Sequence, residues 1–286
     1  MRIGLQTSTL DKSGYGRWGD DAYLKLKEHG YSCSDFNMAD TDSPLYSLPR
    51  EDSDAILLRE RELAAKAGIE IVQVHGPWRY PPKDASPENR MERLEKMKLS
   101  IRAASLLGCK NWVIHPIMPF GLEDARSGDA RKTWDLNLLF MRELLKTAHE
   151  YDVTICLENM PMQYFSLSRP EDIVRFVRTI GDDHFKICLD TGHVAVFSDL
   201  SVGDEARRLG SEIRALHVHD NKYGIDAHMM PLFGIIDWQD FADALKEIGF
   251  DGVFSLETLP SSKLPTPLFE EMGKCLGQIA HHIVAE

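Results

Sequence analysis

The sequence predicts a single (β/α)₈ barrel, and two observations support this prediction. First, six apolar segments of strand length each end in a carboxylate or an imidazole. These terminal residues are His75, His115, Glu158, Asp190, His217 and Glu257. Parallel strands buried on both faces have such sequences, and a barrel of this type places its chemistry at the C-terminal strand ends. Second, strand and helix signals alternate without a Ser/Gly-rich linker, so we expect one domain over residues 1–286.

The eight strand–helix units can be placed in order along the chain. The strands begin near Arg2, Tyr31, Ile69, Asn111, Val153, Phe185, Ile213 and Gly252. The helices that follow them cover about 20–29, 52–66, 87–107, 133–151, 170–179, 204–209, 237–248 and 267–284. Glycines follow four helices, where helix C-termini favour glycine, at Gly68, Gly108, Gly181 and Gly249. A doubly wound open sheet is the alternative fold, but it would not bring six strand ends to one point.

The alternation of side chains predicts which residues fill the barrel interior. In the fifth strand, Glu158, Cys156 and Thr154 share one face, whereas Leu157 and Ile155 share the other. We expect the first three to point inward and the two aliphatic residues to pack against helices.

The composition disfavours several classes of function. Asp and Glu number 45 against 33 Lys and Arg, so the net charge of −12 offers no overall attraction for a polyanion. No apolar run reaches the length of a membrane span, and the first ten residues contain no secretory hydrophobic stretch. The five cysteines are odd in number and lack paired metal spacing. We therefore expect a cytoplasmic protein without nucleic-acid or membrane partners.

Two further groups of metal-ligand side chains follow the strand ends. Asp190 and His193 are separated by Thr-Gly, and a turn there would bring both side chains to one ion. Asp226 and His228 repeat this pairing in a later loop. Carboxylate and imidazole together suit Mn²⁺ or Zn²⁺, with Mg²⁺ or Co²⁺ as alternatives, and we expect no organic cofactor. His219 either binds the metal itself or contacts one of the metal ligands and orients that ligand.

Seven short motifs carry a family resemblance in this order. They are His75-Gly-Pro, His115-Pro, Leu157-Glu-Asn159, Leu189-Asp-Thr-Gly-His193, His217-Val-His-Asp-Asn221, Asp226-Ala-His228 and Leu256-Glu-Thr258. Over essentially its whole length the chain resembles the xylose-isomerase-like barrels, which include sugar isomerases and epimerases, inosose dehydratases and endonuclease IV. For an isomerase or epimerase, the resemblance implies one divalent ion held by Glu158, Asp190, His217 and Glu257.

The same resemblance leaves a second reading open. Endonuclease IV binds three zinc ions, and all of its ligand positions have matching residues here. Beyond the four ligands above, these are His75, His115, His193, Asp226 and His228. The ligands therefore fit a phosphodiesterase that acts on abasic DNA as well as an isomerase. A lyase of the inosose dehydratase type is a further alternative.

The residues around the ligands favour a small carbohydrate substrate. The segment that follows Glu158, Asn159-Met-Pro-Met-Gln-Tyr-Phe165, is apolar and aromatic, like the lining of a small pocket. A nuclease requires many phosphate-binding cations, whereas the segment after His193 contains none. The resemblance then implies isomerisation or epimerisation of a sugar, sugar phosphate or related polyol through a metal-stabilised enediolate. Glu158 and Glu257 would transfer the proton.

Further residues are expected to contact the substrate. They are His75, His193, Trp18 and Trp78. Trp78 and Tyr80 flank an arginine, and such a cluster stacks on a nucleotide, stacks on a sugar ring or is structural. Trp18 either walls the pocket or packs among turn glycines. Ketohexose 3-epimerases have an arginine where this chain has Tyr223, so we do not expect ketohexose recognition by that route. The sugar, its phosphorylation and the choice between monomer and homo-oligomer stay open.

Overall fold

The computed structural model describes residues 1–7, 9–10, 12 and 14–285, and its centre is a parallel eight-stranded barrel. The strands are β1 (Arg2–Thr7), β2 (Cys33–Asn37), β3 (Glu70–His75), β4 (Asn111–Ile114), β5 (Thr154–Glu158), β6 (Phe185–Asp190), β7 (Ile213–His217), β8 (Asp220–Lys222), β9 (Ile225–Met229) and β10 (Val253–Leu256). The barrel order is β10-β1-β2-β3-β4-β5-β6-β7. Val218 joins the two edges, since its N–H donates to the Ser255 carbonyl at 2.8 Å and its carbonyl accepts from Glu257 N–H at 2.9 Å. The predicted barrel is confirmed.

Helices surround the barrel. They are α1 (Ala22–Glu28), α2 (Arg50–Ala67), α3 (Pro87–Leu106), α4 (Asp124–Ser127), α5 (Ala130–Tyr151), α6 (Pro170–Ile180), α7 (Thr191–Ala195), α8 (Val202–Leu209), α9 (Trp238–Glu247) and α10 (Thr266–Ala285). All eight predicted helices are present. Gly68 and Gly181 are left-handed C-caps, with φ of 69° and 66°, as their position after a helix predicted. None of the described helices is both long and apolar enough to cross a membrane.

Two short helices and one β-hairpin were not predicted, and one of these helices and the hairpin shape the barrel mouth. Helix α7 begins directly after β6 because the side chain of Asp190 accepts a hydrogen bond from the backbone N–H of His193 at 2.6 Å. Strands β8 and β9 form an antiparallel hairpin in which Lys222 pairs with Ile225. Gly224 adopts a φ of 73° in the two-residue turn, a conformation that favours glycine. The second short helix, α4, lies between β4 and α5.

The interior of the barrel contains a layer of small residues beneath the functional strand ends. Val113, Cys156, Cys188 and Ala215 form a separate buried cluster. Leu157, the neighbour of Cys156, instead belongs to the large core that includes the helices. This alternation agrees with the predicted period of two. Burial raises the pKa of the Cys156 thiol to about 12, so this cysteine packs as a small apolar residue.

A tryptophan determines how the chain leaves the third strand. Trp112 is fully buried, and its indole N–H donates to the Ser100 hydroxyl at 2.9 Å. A Cβ atom on Gly76 would come within 2.5 Å of the indole. Glycine is therefore required immediately after His75, where the backbone passes over this ring towards the barrel mouth.

Candidate metal centre and substrate cavity

A cavity of about 560 Å³ opens at the C-terminal end of the barrel, where the fold predicts a functional site. Most of the predicted metal ligands line it. They are His75, His115, Glu158, His193, Asp226, His228 and Glu257. His217 and Asp190 are fully buried beneath these residues. The structure therefore brings the nine predicted ligand positions to one end of the barrel.

The centre of the site consists of one imidazole between two carboxylates. His217 Nδ1 lies 3.2 Å from Glu158 Oε1 and 3.1 Å from Glu257 Oε2. All three atoms are buried and have no hydrogen-bond partner among the described residues. Buried polar atoms are usually satisfied, so three converging atoms without partners require an explanation. A divalent cation fits this donor set, because neutral imidazole and ionised carboxylate are its normal protein ligands.

The other nitrogen of His217 is oriented by an aspartate that the sequence reasoning missed. His217 Nε2 lies 3.0 Å from Asp35 Oδ2, and a carboxylate can only accept, so Nε2 carries the proton. Nδ1 is then free to bind a metal, an arrangement typical of metal-binding histidines. Asp35 is fully buried on β2, where Gln73 Nε2 also donates to it at 2.7 Å. The available signal was an acidic residue inside a predicted strand, with Cys33 and Phe36 on either side of it.

A second donor group lies beside the first and shares Glu158. His115 Nε2 is 3.1 Å and His75 Nε2 is 3.7 Å from Glu158 Oε2. His75 Nδ1 lies 2.8 Å from the Gly76 carbonyl, to which it donates, so Nε2 is the available nitrogen. Trp78 packs edge-on against the His115 ring with centroids 4.4 Å apart. These contacts orient both imidazoles towards Glu158.

The third donor group connects the β8–β9 hairpin to the barrel. Asp226 Oδ2 lies 3.4 Å from His193 Nε2 and 3.6 Å from His228 Nε2. The Nδ1 atoms of both histidines face backbone carbonyls, those of Asn159 at 2.7 Å and Glu257 at 2.9 Å. Both rings therefore direct Nε2 at the same carboxylate. His228 has a positive φ of 43°, the kind of backbone strain that concentrates at functional sites.

Asp190 is engaged by two histidines, His193 of the third group and His219. Its Oδ1 accepts from the backbone of His193, and its Oδ2 lies 3.1 Å from His219 Nε2. The His219 ring also stacks on His228 with centroids 4.0 Å apart. A Cβ on Gly192 would lie 1.9 Å from the His219 ring, so this packing requires glycine. His219 Nε2 thus contacts Asp190, and His219 also offers a nitrogen within 4.8 Å of the donor atoms of His193, Asp226 and His228.

Charges within the site perturb several pKa values. Burial alone would raise the pKa of Glu158, but His217 and His115 hold it well below its usual range. Burial lowers the pKa of His115 to about 4 despite the nearby Glu158. Burial also disfavours a charged His193, but Asp190, followed by Asp226 and Glu158, raises its pKa to about 10. Glu158 is thus ionised at neutral pH and can bind a cation.

The two predicted tryptophans occupy different environments. Trp78 lines the cavity, as expected for a residue that contacts substrate. Trp18 packs against Tyr15, His29 and Phe269, with ring centroids 5.5 to 6.0 Å apart. It is not among the described residues that line the cavity. The structure thus places Trp18 in a packed aromatic cluster, because the turn glycines around it let the indole fold against α10.

A buried carboxylate explains the sequence motif that follows the seventh strand. Asp220 Oδ1 accepts from the backbone N–H groups of Asn221 and Ile235, both at 2.9 Å. Asp220 Oδ2 accepts from the indole N–H of Trp238 at 2.9 Å. A Cβ on Gly234 would lie 2.1 Å from Asp220 Oδ1. The contacts of Asp220 with Asn221, Gly234 and Trp238 therefore fix the loop that supports the hairpin.

Fold and site define a (β/α)₈ barrel with a buried carboxylate–imidazole cluster at its C-terminal face. A family model for xylose isomerase-like TIM barrels matches residues 24–275, and the chain belongs to this family. An uncharacterized protein of Methanocaldococcus jannaschii is 30% identical over 203 residues, which cover 68% of this chain and 67% of that protein. A D-psicose 3-epimerase of Enterocloster bolteae is 26% identical over 208 residues, 70% of this chain and 65% of the epimerase.

Solved structures show the same fold over the whole chain. A D-psicose 3-epimerase crystallised in the presence of D-fructose has a TM-score of 0.75 and 15% identity, and all of both chains is covered. A D-tagatose 3-epimerase-like protein has a TM-score of 0.71 and 24% identity, with 100% of this chain and 98% of that chain covered. Identities this low establish the fold alone.

Proposed function

We propose that this protein is a divalent-metal-dependent isomerase or epimerase of a small sugar or related polyol. One observation carries the proposal: the buried Nδ1 of His217 and one oxygen each of Glu158 and Glu257 converge without other partners. Family membership and the 3-epimerases among its relatives support the choice of reaction. We propose Glu158, Asp190, His217 and Glu257 as the ligands, with Mn²⁺ or Zn²⁺ as the ion.

The bound cation would supply a Lewis acid that polarises neighbouring substrate oxygens. The two glutamates would move the proton. Glu257 Oε1 accepts from Gln6 Nε2 at 2.9 Å, which holds the carboxylate at the cavity wall. Glu158 is fully buried beside His115 and His217. They lie at the C-terminal ends of the fifth and eighth barrel strands, so they can flank a bound substrate from different sides. One carboxylate would remove a proton from a carbon acid, and the other would return it.

Three other residues are proposed to position the substrate. His193 and His75 face the cavity beside the carboxylates, and Trp78 offers an aromatic surface above them. His193→Gln should therefore impair substrate placement more than proton transfer. A shift in KM with a smaller change in kcat is the expected result.

A zinc-dependent phosphodiesterase is the second candidate, because the second and third donor groups are both assembled. His75, His115 and Glu158 form one compact set, and His193, Asp226 and His228 form part of another. Two further ions in these groups would fit hydrolysis of a phosphodiester. The cavity lining argues against a DNA substrate, since no Lys or Arg is among its described residues. A dehydratase-type lyase would use the central group in the same way as the isomerase.

A paired assay tests the proposal. Metal-loaded protein is incubated in D₂O with ketoses, inosose and sugar phosphates, and separately with a synthetic abasic duplex. Deuterium that enters a carbon next to a carbonyl reports proton abstraction, whereas strand scission reports phosphodiester hydrolysis. We expect exchange without scission. Scission at low enzyme concentration with no exchange in any sugar would replace the proposal by the second candidate.

We also propose a cytoplasmic location. All five cysteines are free, and four of them are buried. Unpaired cysteines are typical of reducing compartments. Immunolocalisation or fractionation of expressing cells tests this location.

A further inference from the structure

The cavity has two chemically different halves. The donor groups form its floor, whereas the wall nearer the opening is largely apolar. Ala39, Trp78 and Tyr80 contribute from the loops after β2 and β3. Met160, Pro161, Met162 and Val196 contribute from the segments after β5 and β6, in a different sector of the barrel. A substrate whose reactive end rests on the floor would therefore place its other end between two apolar surfaces.

The apolar wall of the cavity has no cation that could pair with an anionic substrate, since the imidazoles of His193 and His228 belong to the floor and face Asp226. None of the described lining residues is Lys or Arg, and the four residues outside the described ranges are two Ser, one Asp and one Glu. Three carboxylates, those of Glu158, Asp226 and Glu257, face the same space. These would be balanced by a bound divalent ion rather than by the substrate. A phosphate group carries a charge of roughly −1.5 to −2 at neutral pH and would find no partner in the wall.

The two amide side chains that line the cavity already bond to other groups of the protein. Gln6 Nε2 donates to Glu257 Oε1 at 2.9 Å, and Asn37 Oδ1 accepts from the Ala39 backbone at 2.8 Å. Asn37 Nδ2 lies 3.4 Å from Gln6 Oε1, so the two amides also contact each other. A sugar hydroxyl placed against the apolar side chains of Met160, Pro161 and Val196 would lose its bonds to water without gaining a side-chain partner there. Such a loss is unfavourable.

From the distribution of charge and polarity in this cavity, we infer that the substrate is uncharged and has an apolar end opposite its reacting carbons. Two sources share this chemistry: a glycoside with an alkyl or aryl aglycone, and a 6-deoxy ketose. The volume of about 560 Å³ is typical of pockets for drug-sized ligands, so a sugar with a ring substituent can be accommodated. Met160 and Met162 are flexible side chains suited to such a substituent. The inference rests on the proposed function and narrows its substrate class.

Calorimetric titration of the Mn²⁺-loaded protein tests the inference with matched probes. D-fructose, 6-deoxy-D-fructose and D-fructose 6-phosphate differ only at one carbon, and phenyl and methyl β-D-glucoside differ only in the aglycone. We expect the phosphate to bind at least tenfold more weakly than fructose. We expect either the deoxy sugar or the phenyl glucoside to bind at least fivefold more tightly than its parent, and the responding pair identifies the source.

A charge variant provides a second readout that does not depend on turnover. Met162 is half-buried in the apolar wall, so Met162→Lys introduces a cation there without opening the core. This variant should strengthen binding of D-fructose 6-phosphate at least tenfold and weaken the preference for the apolar probe. Leu139→Lys is the matched control, because Leu139 is 66% exposed on α5 and does not line the cavity. The control should bind all five probes like the unmodified protein.

The outcomes separate the inference from the function on which it rests. Equal or tighter binding of the 6-phosphate by the unmodified protein would overturn the uncharged substrate. Failure of both apolar probes to exceed their parents, while fructose binds, would overturn the apolar end. In both cases the proposed isomerase would stand. Binding of none of the five sugars, together with no deuterium exchange in the paired assay, would instead contradict the proposed function, and the inference would fall with it.

Discussion

The two ends of the barrel each carry a cluster of histidines and carboxylates, but the clusters differ in burial and in bonding. At the N-terminal end, His149, Asp182 and His184 lie close enough to share an ion. Their side chains are 49%, 28% and 29% exposed. At the C-terminal end, the side chains of His217, Glu158 and Glu257 are 0%, 1% and 13% exposed. The residue types match, whereas the environments do not.

The hydrogen bonding of the two clusters differs as well. Asp182 Oδ2 faces His149 Nε2 at 2.9 Å, and Asp182 Oδ1 accepts from the backbone N–H of His184 at 2.8 Å. The N-terminal donors therefore satisfy one another in contact with water. His217 Nδ1 and the carboxylate oxygens beside it have no such partners. Burial and unsatisfied donor atoms, rather than the presence of His and Asp, distinguish a metal centre from a surface ion pair.

Removing a proton-transferring group from the mouth should have the largest effect. Glu158→Gln and Glu257→Gln keep the size of the side chain and one oxygen, but remove the base. Each should reduce turnover of the identified substrate about a hundredfold or more, within the usual range for general acid–base catalysis. Steady-state kinetics measures this effect, and circular dichroism checks the fold. Asp182→Asn at the opposite end should leave turnover unchanged.

Near-normal turnover by either glutamine variant would rule out the two-carboxylate mechanism. His193 would then be the next candidate for the base. It lies 3.4 Å from Glu158 Oε1 and faces the cavity.

Removing the carboxylate behind His217 should have the next largest effect. Asp35→Asn eliminates the charge that keeps the His217 proton on Nε2 and the lone pair on Nδ1. Metal affinity should fall about 10- to 100-fold, as is usual when such an orienting residue is changed. Competition with a fluorescent chelator measures the affinity. Asp152→Asn is the matched control, since Asp152 faces His184 Nε2 at 3.3 Å in the N-terminal cluster. Equal affinity in both variants would remove the proposed role of Asp35.

The two tryptophans allow a smaller contrast between cavity and packing. Trp78→Ala removes an apolar wall of the cavity and should weaken sugar binding about tenfold, at the lower end for a hydrophobic pocket contact. Trp18→Phe keeps an aromatic ring in the cluster with Tyr15 and Phe269 and should leave binding unchanged. Titration calorimetry compares the two. Weaker binding in the Trp18 variant alone would restore the role expected from the sequence.

The second candidate function requires a metal ion in the third group, and loading of that group should release protons. Burial opposes a charge on His228, but Asp226, followed by Glu257, raises its pKa to about 9, and His193 reaches about 10. Both imidazoles are therefore protonated on both nitrogens at pH 7.5 in the metal-free protein, and each must lose one proton to bind a cation. The metal affinity should therefore fall as pH falls. Calorimetry in buffers of different ionisation enthalpy counts the protons. We expect this group to release roughly two protons when it binds the ion. Fewer protons should be released in His228→Gln. An unchanged number in that variant would contradict the assignment of His228 to the group.

The sequence predicted the barrel and the position of its mouth because both follow from local patterns. Apolar strands that end in Glu158 or His217 have a clear signature, and parallel strands bring their ends together. Asp35 was missed because its role depends on His217, which is 182 residues away and adjacent only in the folded barrel. Trp18 was assigned to the cavity as one of two readings, since glycine-flanked aromatics look alike whether they pack or bind. These relations are tertiary and have no short-range pattern.

The most direct test of the account is the metal content of matched variants from the two clusters. The unmodified protein, His217→Gln and His184→Gln are stripped with chelator, reloaded with Mn²⁺ or Zn²⁺ and measured by elemental analysis. At least one ion per chain is expected in the unmodified protein, one ion fewer in His217→Gln, and no change in His184→Gln. No stoichiometric metal in the unmodified protein, or a loss in His184→Gln alone, would contradict a metal centre at the C-terminal mouth.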